Sequence, residues 1–227
     1  MRRIVFFDFD GTLVDSAPDL AHAANLQRIR KGLPPLQYAT LRPYASQGAR
    51  GLLGAALNLQ PDHNEYEAVR QQFLHDYKNC MTTHSRLFNG INELLNKIDQ
   101  NNMGWGIVTN KAEDLSFPMF DHFQLTSRSA ANVCGDTTPY AKPHPAPLLH
   151  AARLANSLPE HCIYIGDDER DIIAGKAANM ATIAVSYGYC NNKDSIQEWQ
   201  ADLTVNRVDE LWNAIAHLAQ KNGVKND

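Results

Sequence analysis

Ile4-Val5-Phe6-Phe7-Asp8-Phe9-Asp10-Gly11-Thr12-Leu13-Val14-Asp15-Ser16 lies near the start of a 227-residue chain and decides how the rest is read. Ile4–Phe7 is a short, β-rich, continuously apolar run. Such a run predicts a strand buried on both faces, as in a parallel sheet. In extended chain, residues two apart point the same way, so Asp8 and Asp10 stand side by side at the strand end. Two neighbouring carboxylates repel, and burial raises the cost of both. The pair points to a cation between them or to proton chemistry. Taken alone, it fits a solvated turn equally well. Gly11 supplies backbone that can turn sharply and offer N–H groups to an anion.

Working outward, similar apolar runs recur at Gly106–Thr109, Cys162–Ile165 and Thr182–Ser186. Between them lie helical patterns at Ile91–Asp99, Glu113–Phe123, His144–Leu154 and Asp171–Ala178. This alternation predicts an α/β fold, a three-layer Rossmann-like parallel sheet with ligands at the carboxyl ends of its strands. The stretch 16–85 breaks the alternation. Ser16 reads as an N-cap, with Pro18 in the first turn and Asp19 three residues after the cap. That helix is expected to stop at Gly32, ahead of Pro34 and Pro35. Tyr66, Val69, Phe73, Tyr77 and Cys80 fall on one face of a later helix. Residues 16–85 are therefore read as a small inserted α-helical domain, with 1–15 and 86–227 forming the core. The polar stretch Lys221–Asp227 is expected to fray.

Composition narrows the function classes. Apolar residues make up 44% and charged residues 20%, enough to bury a sizeable core. Lys and Arg number 21 against 25 Asp and Glu, for a net charge of −4. That balance carries no electrostatic footprint for nucleic acid or an anionic membrane. The longest apolar runs fall well short of a membrane span or a signal peptide. The four cysteines form no C-x-x-C pair and read as free thiols in a reducing, cytoplasmic setting. The nine histidines show no zinc-ligand spacing.

Further chemistry-bearing residues also sit at predicted strand ends. Gly166-Asp167-Asp168-Glu169-Arg170-Asp171 follows Cys162–Ile165. Asp167 and Asp171 share a face if a helix starts at once. Carboxylates converging with Asp8 and Asp10 suit Mg²⁺, a hard cation held by oxygen. Asp168 and Glu169 read as readily as helix-capping and dipole residues. Thr109 and Asn110 can cradle a phosphate. Pro143 biases Lys142 towards extended backbone, which aims its side chain, and a lysine so held could neutralise a phosphate.

The chain resembles the haloacid dehalogenase superfamily in its phosphatase branch. Asp8–Ser16 is similar to the first family motif, Thr109-Asn110 to the second, Lys142-Pro143 to the third and Gly166–Asp171 to the fourth. The helical insertion resembles the family's small cap. Among its members, phosphoglycolate phosphatases and N-acetylmuramic acid 6-phosphate phosphatases look most similar, in Trp105–Lys111, Gly166–Asp171 and Tyr187-Gly188-Tyr189 especially. The resemblance implies Asp8 as the nucleophile that becomes an aspartyl phosphate. It implies Asp10 as the acid and base. Mg²⁺ would be held by Asp8, the Asp10 backbone carbonyl and Asp167. Thr109 and Lys142 would bind the phosphoryl group, with Asn110 alongside. Asp171 would orient the metal's water shell or Lys142. Asp168 stands where Ser or Thr is usual, as an outer-shell metal group or a helix cap.

Several expectations follow from that reading. Neighbouring negative charge should raise the pKa of Asp10 and give a pH–rate profile with two limbs. Asp8→Asn should abolish turnover, and Asp10→Asn nearly so. Gly48-Ala49-Arg50-Gly51 is expected to be a contact loop in the cap, with Arg50 clamping a substrate carboxylate or serving as a surface residue. Tyr187 and Tyr189 are expected to line the site or pack at its rim. Trp105, His84 and Arg86 are given packing or linker roles. The substrate is expected to be a small phosphorylated metabolite and the enzyme a monomer or homodimer. Rival readings are a sugar-phosphate mutase and a regulatory phosphoacceptor module without turnover. A nucleotide binder would need the G-x-G-x-x-G signature that the sequence lacks.

Overall fold

Ile4–Phe7 forms strand β1, with all four side chains buried. It lies in the middle of a sheet, which is why no position of it is polar. The computed structural model describes residues 2–190 and 195–221. After β1 come β2 (Val14–Asp15), α1 (Ala17–Arg30), α2 (Tyr38–Leu41), α3 (Gly48–Leu57), α4 (Tyr66–Cys80) and β3 (Arg86–Leu87). Then follow α5 (Ile91–Gln100), β4 (Gly104–Val108), α6 (Glu113–His122), β5 (Asn132–Val133), α7 (Ala146–Leu154) and β6 (Cys162–Gly166). The chain closes with α8 (Glu169–Ala177), β7 (Ala181–Val185), β8 (Leu203–Val205) and α9 (Leu211–Lys221). The rest of the polar stretch, residues 222–227, lies outside the described residues.

Six strands pair in the order β5-β4-β1-β6-β7-β8, and every neighbouring pair is parallel. Along the chain the order runs outward from β1 on one side, returns, and runs outward on the other. This is the doubly wound arrangement, with its switch point at β1. Ile4, Phe6, Cys162 and Tyr164 project to one face, where α7 and α8 cover them with Leu148, Ala151, Ala152 and Ala174. Helices α5 and α9 pack against one another, α5 also against β4 and α9 against β8. The expected α/β class with a Rossmann-like parallel sheet is what the chain forms. Strand β4 starts at Gly104, earlier than read, because Gly104 and Trp105 register with Ile4 and Val5. Strands β5 and β8 are too short to leave a sequence pattern.

Contacts divide the chain into two compact units, Met1–Leu13 with Leu87–Asp227, and Val14–Arg86. In the second unit α1 packs on α3 and α4, burying Leu20, Ala23, Ala24, Leu52, Leu53, Phe73 and Tyr77. Helix α1 ends where Gly32 takes φ +71°, with Leu33 N–H donating to Arg28 C=O at 3.0 Å and Gly32 N–H to Ile29 C=O at 2.9 Å. That closure needs a left-handed residue, which glycine supplies without strain.

Two local expectations are corrected. Ser16 is the N-cap residue and proline does sit in the first turn, but the Ser16 side chain makes no capping bond. Asp19, fully buried, instead accepts from the main-chain N–H groups of His84 (3.0 Å) and Ser85 (2.8 Å) and from the Ser85 hydroxyl (2.8 Å). It ties the exit of the insertion to its first helix. Gly48–Gly51 is the first turn of α3 rather than a loop. Gly48, at φ +58°, joins the preceding 3-10 segment directly to that helix.

Candidate active site

Because the strands are parallel and in register, the residues that follow β1, β4 and β6 arrive at one edge of the sheet. Asp8 is anchored there by its N–H, which donates to Ile165 C=O at 2.8 Å. Thr109 N–H donates to Val133 C=O at 2.9 Å. Single ligand atoms of Asp8, Asp167 and Asp171 all lie within 4.8 Å of one another.

Lys142 reaches the same place from the loop before α7, and its side chain is 2% exposed. Its ammonium donates to Val108 C=O (3.0 Å), the Tyr164 hydroxyl (2.7 Å) and Asp171 Oδ1 (2.7 Å). Those three oxygens use up its three protons. Asp8 Oδ1 is a fourth neighbour at 2.9 Å. It receives the charge without an aligned hydrogen bond and is left a buried oxygen with no hydrogen-bond partner. Burial opposes the Lys142 charge, but Asp171 and Asp8 outweigh it and hold the ammonium above its ordinary pKa.

Helix α8 begins at Glu169, with Asp168 as its N-cap. Asp168 accepts from Arg170 N–H at 3.0 Å and pairs with the Arg170 guanidinium at 2.8 Å, while Asp171 Oδ2 accepts from Asp168 N–H at 3.1 Å. The structure thus gives Asp168 the capping role, and Arg170 beside it holds its carboxyl below the usual range despite burial. Asp171 has both oxygens engaged, one by Lys142 and one by the cap. Burial pushes it up to about 7, against the pull of Lys142. Asp167 is 2% exposed. Burial first, then Asp8 and Asp171, push its carboxyl well above the ordinary range.

Asp167 is held tightly. Tyr189 N–H donates to its Oδ2 at 2.8 Å and the Thr12 hydroxyl to its Oδ1 at 3.3 Å. A Cβ at Gly188 would come within 2.4 Å of both Asp167 Oδ2 and Gly11 C=O, and one at Gly11 within 2.2 Å of Asp167 Oδ2. Both positions require glycine for close approach, and Gly11 also takes φ +83°. The Tyr187 hydroxyl donates to Thr12 C=O at 2.9 Å, so this loop braces the first motif.

Lys111 Nζ lies 3.1 and 3.2 Å from the two carboxylate oxygens of Asp10. Each acid of the pair therefore faces its own lysine, Asp8 with Lys142 and Asp10 with Lys111. Asn110 bonds to the segment that carries Lys142. Its amide spans the Lys142 main chain, accepting from Lys142 N–H and donating to Lys142 C=O, both at 2.9 Å. These two bonds fix the main chain that carries Lys142. Arg50 is an exposed residue of α3 in the inserted unit. Trp105 is fully buried in β4.

Tyr164 and Lys111 were not among the residues singled out from the sequence. A lone hydroxyl inside the apolar run Cys162–Ile165 was the available signal for the first. A lysine directly after Thr109-Asn110 was the signal for the second.

A parallel sheet with carboxylates, a hydroxyl and a buried lysine converging at its switch point defines an enzyme of the phosphoryl-transferring α/β type. Residues 5–185 match the family model described as haloacid dehalogenase-like hydrolase. The chain belongs to that family. It is 40% identical over 214 residues to a protein of Xanthomonas campestris named phosphoglycolate phosphatase, covering 94% of this chain and 96% of the relative. It is 38% identical over 213 residues to a Pseudomonas putida protein named N-acetylmuramic acid 6-phosphate phosphatase, with the same coverage of 94% and 96%. A Haemophilus somnus crystal structure, named a predicted phosphoglycolate phosphatase, superposes with TM-score 0.82 at 25% identity over 94% of this chain and 98% of that one. A haloacid dehalogenase-like family hydrolase from Streptococcus pneumoniae shares the fold, with TM-score 0.80 at 23% identity over 94% and 98%. The chain is a phosphoric monoester hydrolase. Among the described residues, no helix is long and apolar enough to cross a membrane.

Proposed function

We propose that the chain is a Mg²⁺-dependent phosphomonoesterase that works through a phosphorylated Asp8 on a small phosphorylated metabolite, 2-phosphoglycolate or N-acetylmuramic acid 6-phosphate. The observation that carries this reading is Asp8 Oδ1, buried, 2.9 Å from Lys142 Nζ and without a hydrogen-bond partner. A carboxylate oxygen that keeps its lone pairs free beside a fixed positive charge is suited to attack phosphorus. The Asp8 carboxylate, with Asp167 close by and oxygen as the only donor type, fits a hard divalent cation. The family resemblance assigns the holding set as Asp8, Asp167 and the Asp10 backbone carbonyl. When bound, Mg²⁺ supplies positive charge that offsets the repulsion between Asp8 and a phosphate dianion.

The residues then divide the work. Lys142 neutralises charge at the reacting carboxylate, and Thr109 offers its hydroxyl to the phosphoryl oxygens. Asp10 gives a proton to the leaving oxygen and later takes one from the water that cleaves the Asp8 phosphate. Capture on Asp8 divides one hard displacement into two easier ones. Substrate choice is assigned to the inserted helical unit, with Arg50 as the carboxylate-binding residue. Both relatives' names point to esters whose leaving group carries a carboxylate, so Arg50 does not separate them. Four free thiols suit a reducing cytoplasmic setting.

The test is a panel of phosphate esters including both compounds, assayed for released phosphate with Mg²⁺ and with EDTA. Mg²⁺-dependent release from one of them, lost in Asp8→Asn, is the expected result. Return of the phosphoryl group to a sugar without net release would overturn it in favour of a mutase. Stable labelling of Asp8 without release would favour a phosphoacceptor module. In the same assay Arg50→Ala should raise KM severalfold at nearly constant kcat.

A further inference from the structure

Thr109, Asn110 and Lys111 follow β4 as consecutive residues, and each reaches a different part of the site. Thr109 presents its hydroxyl, and Asn110 fixes the Lys142 main chain from both sides. Lys111 extends to Asp10 and contacts both of its carboxylate oxygens, at 3.1 and 3.2 Å. The side chains are only 7% and 17% exposed. The base of the lysine is fixed as well. Lys111 N–H donates to the Thr109 hydroxyl at 3.2 Å, and Lys111 C=O accepts from Gly135 N–H at 2.8 Å and from the Ser116 hydroxyl at 3.2 Å. Gly135 can come this close only without a side chain, since a Cβ there would lie 2.2 Å from Asn110 C=O.

A free lysine side chain is rich in rotamers, and ordering one costs conformational entropy. Surface ion pairs seldom recover that. Here a pinned backbone, a shielded ammonium and a two-oxygen contact define one orientation of one carboxylate. Proton transfer needs the donor oxygen within hydrogen-bond reach of the leaving oxygen, and small misplacements are expensive.

We propose that Lys111 is a positioning residue for Asp10, setting the direction of the carboxylate that exchanges protons with the leaving group and with water. The proposal rests on the reading of Asp10 as the proton-transfer residue. It makes the segment Thr109–Lys111 an alignment strip: one side chain for the anion, one for Lys142, one for Asp10.

The experiment is a double-mutant cycle on the full chain with Mg²⁺, using whichever ester of the panel the wild type hydrolyses. Lys111→Met should lower kcat 10- to 100-fold with KM within about twofold, and Lys111→Arg should restore most of the loss. In an Asp10→Asn background, Lys111→Met should change the single-turnover rate of Asp8 phosphorylation less than about twofold, since there is no proton-transferring carboxylate left to place. Multiplicative losses in the double variant would overturn the proposal. So would a raised KM at unchanged kcat, which would make Lys111 a substrate-binding group. Should Lys111→Met fail to fold, Lys111→Gln, which keeps most of the length and a donor but no charge, is put through the same cycle. A wild type that releases no phosphate refutes the phosphatase reading. A wild type that turns over and is impaired by Asp10→Asn but not by Lys111→Met refutes this inference alone.

Discussion

Both units of the chain bury carboxylates, and they treat them oppositely. In the inserted unit Asp19 is fully buried and meets only donors: two main-chain N–H groups and a hydroxyl. Asp76 meets Gln27 at 2.6 Å, Gln72 at 3.2 Å and the Arg30 guanidinium at 2.9 Å. In the core, Asp8, Asp167 and Asp171 crowd one another around a single buried lysine, and Asp8 keeps an oxygen with no hydrogen bond. Buried acids that are satisfied hold a structure together. Buried acids that are crowded and under-satisfied cost stability and persist for chemistry.

The contrast can be broken most directly at Asp8. Asp8→Asn should reduce phosphate release by more than about 10³-fold, measured at saturating ester with Mg²⁺. Its unfolding midpoint in urea should move less than that of any variant that empties Asp19. A large loss of stability with activity retained would reverse the assignment of the two kinds of acid. Next in size, Asp19→Ala leaves buried main-chain donors without acceptors and should cost about 3 kcal/mol in equilibrium unfolding.

Tyr164→Phe removes one acceptor from Lys142 and changes nothing else in volume. The freed ammonium proton can then turn to Asp8 Oδ1, 2.9 Å away, and occupy the lone pair needed for attack. A fall of about 10-fold in kcat/KM, or about 1.4 kcal/mol, is expected from steady-state kinetics. An unchanged rate would show that Lys142 is held well enough without the phenol.

The smallest effect belongs to Asp76. Its hydrogen bonds from Arg30, Gln27 and Gln72 outweigh burial and hold its pKa below the ordinary carboxylate value. A depressed folded pKa means that the ionised form favours folding. The contribution is complete above the unfolded value of about 3.9 and is lost as pH falls through the lower, folded one. Since Arg30 is half exposed, Asp76→Asn should cost about 1 kcal/mol at neutral pH. It should also flatten the part of the acid-unfolding curve below about pH 4, as followed by circular dichroism. An acid limb unaltered by the substitution would remove Asp76 from the account.

Much of the site was legible in one dimension because strand ends are. A buried parallel strand is apolar throughout, so its end is marked by the first polar residue, and Asp8, Thr109 and Asp167 are each such a residue. Parallel pairing then obliges all three to the same edge. Asp168 as a cap was readable from position, since Asp is a preferred N-cap residue. The bond from the Asn110 amide to the Lys142 main chain joins residues 32 apart in sequence, which local spacing does not announce. Asp19 looked like half of a capping box, yet its partners stand more than 60 residues away. Local spacing records local bonds and is silent on distant ones.

The α/β alternation, the helical insertion after the first strand and the acids at the strand ends can all be read along the chain in one dimension. Each follows from hydrophobic period and chain direction, which are local properties. Which base each acid meets emerges on folding: Asp8 with Lys142 and Asp10 with Lys111. Folding also decides that a tyrosine in a core strand takes one of the Lys142 protons. Those pairings rest on the order in which strands lie in the sheet, and strand order is fixed by how the whole chain packs.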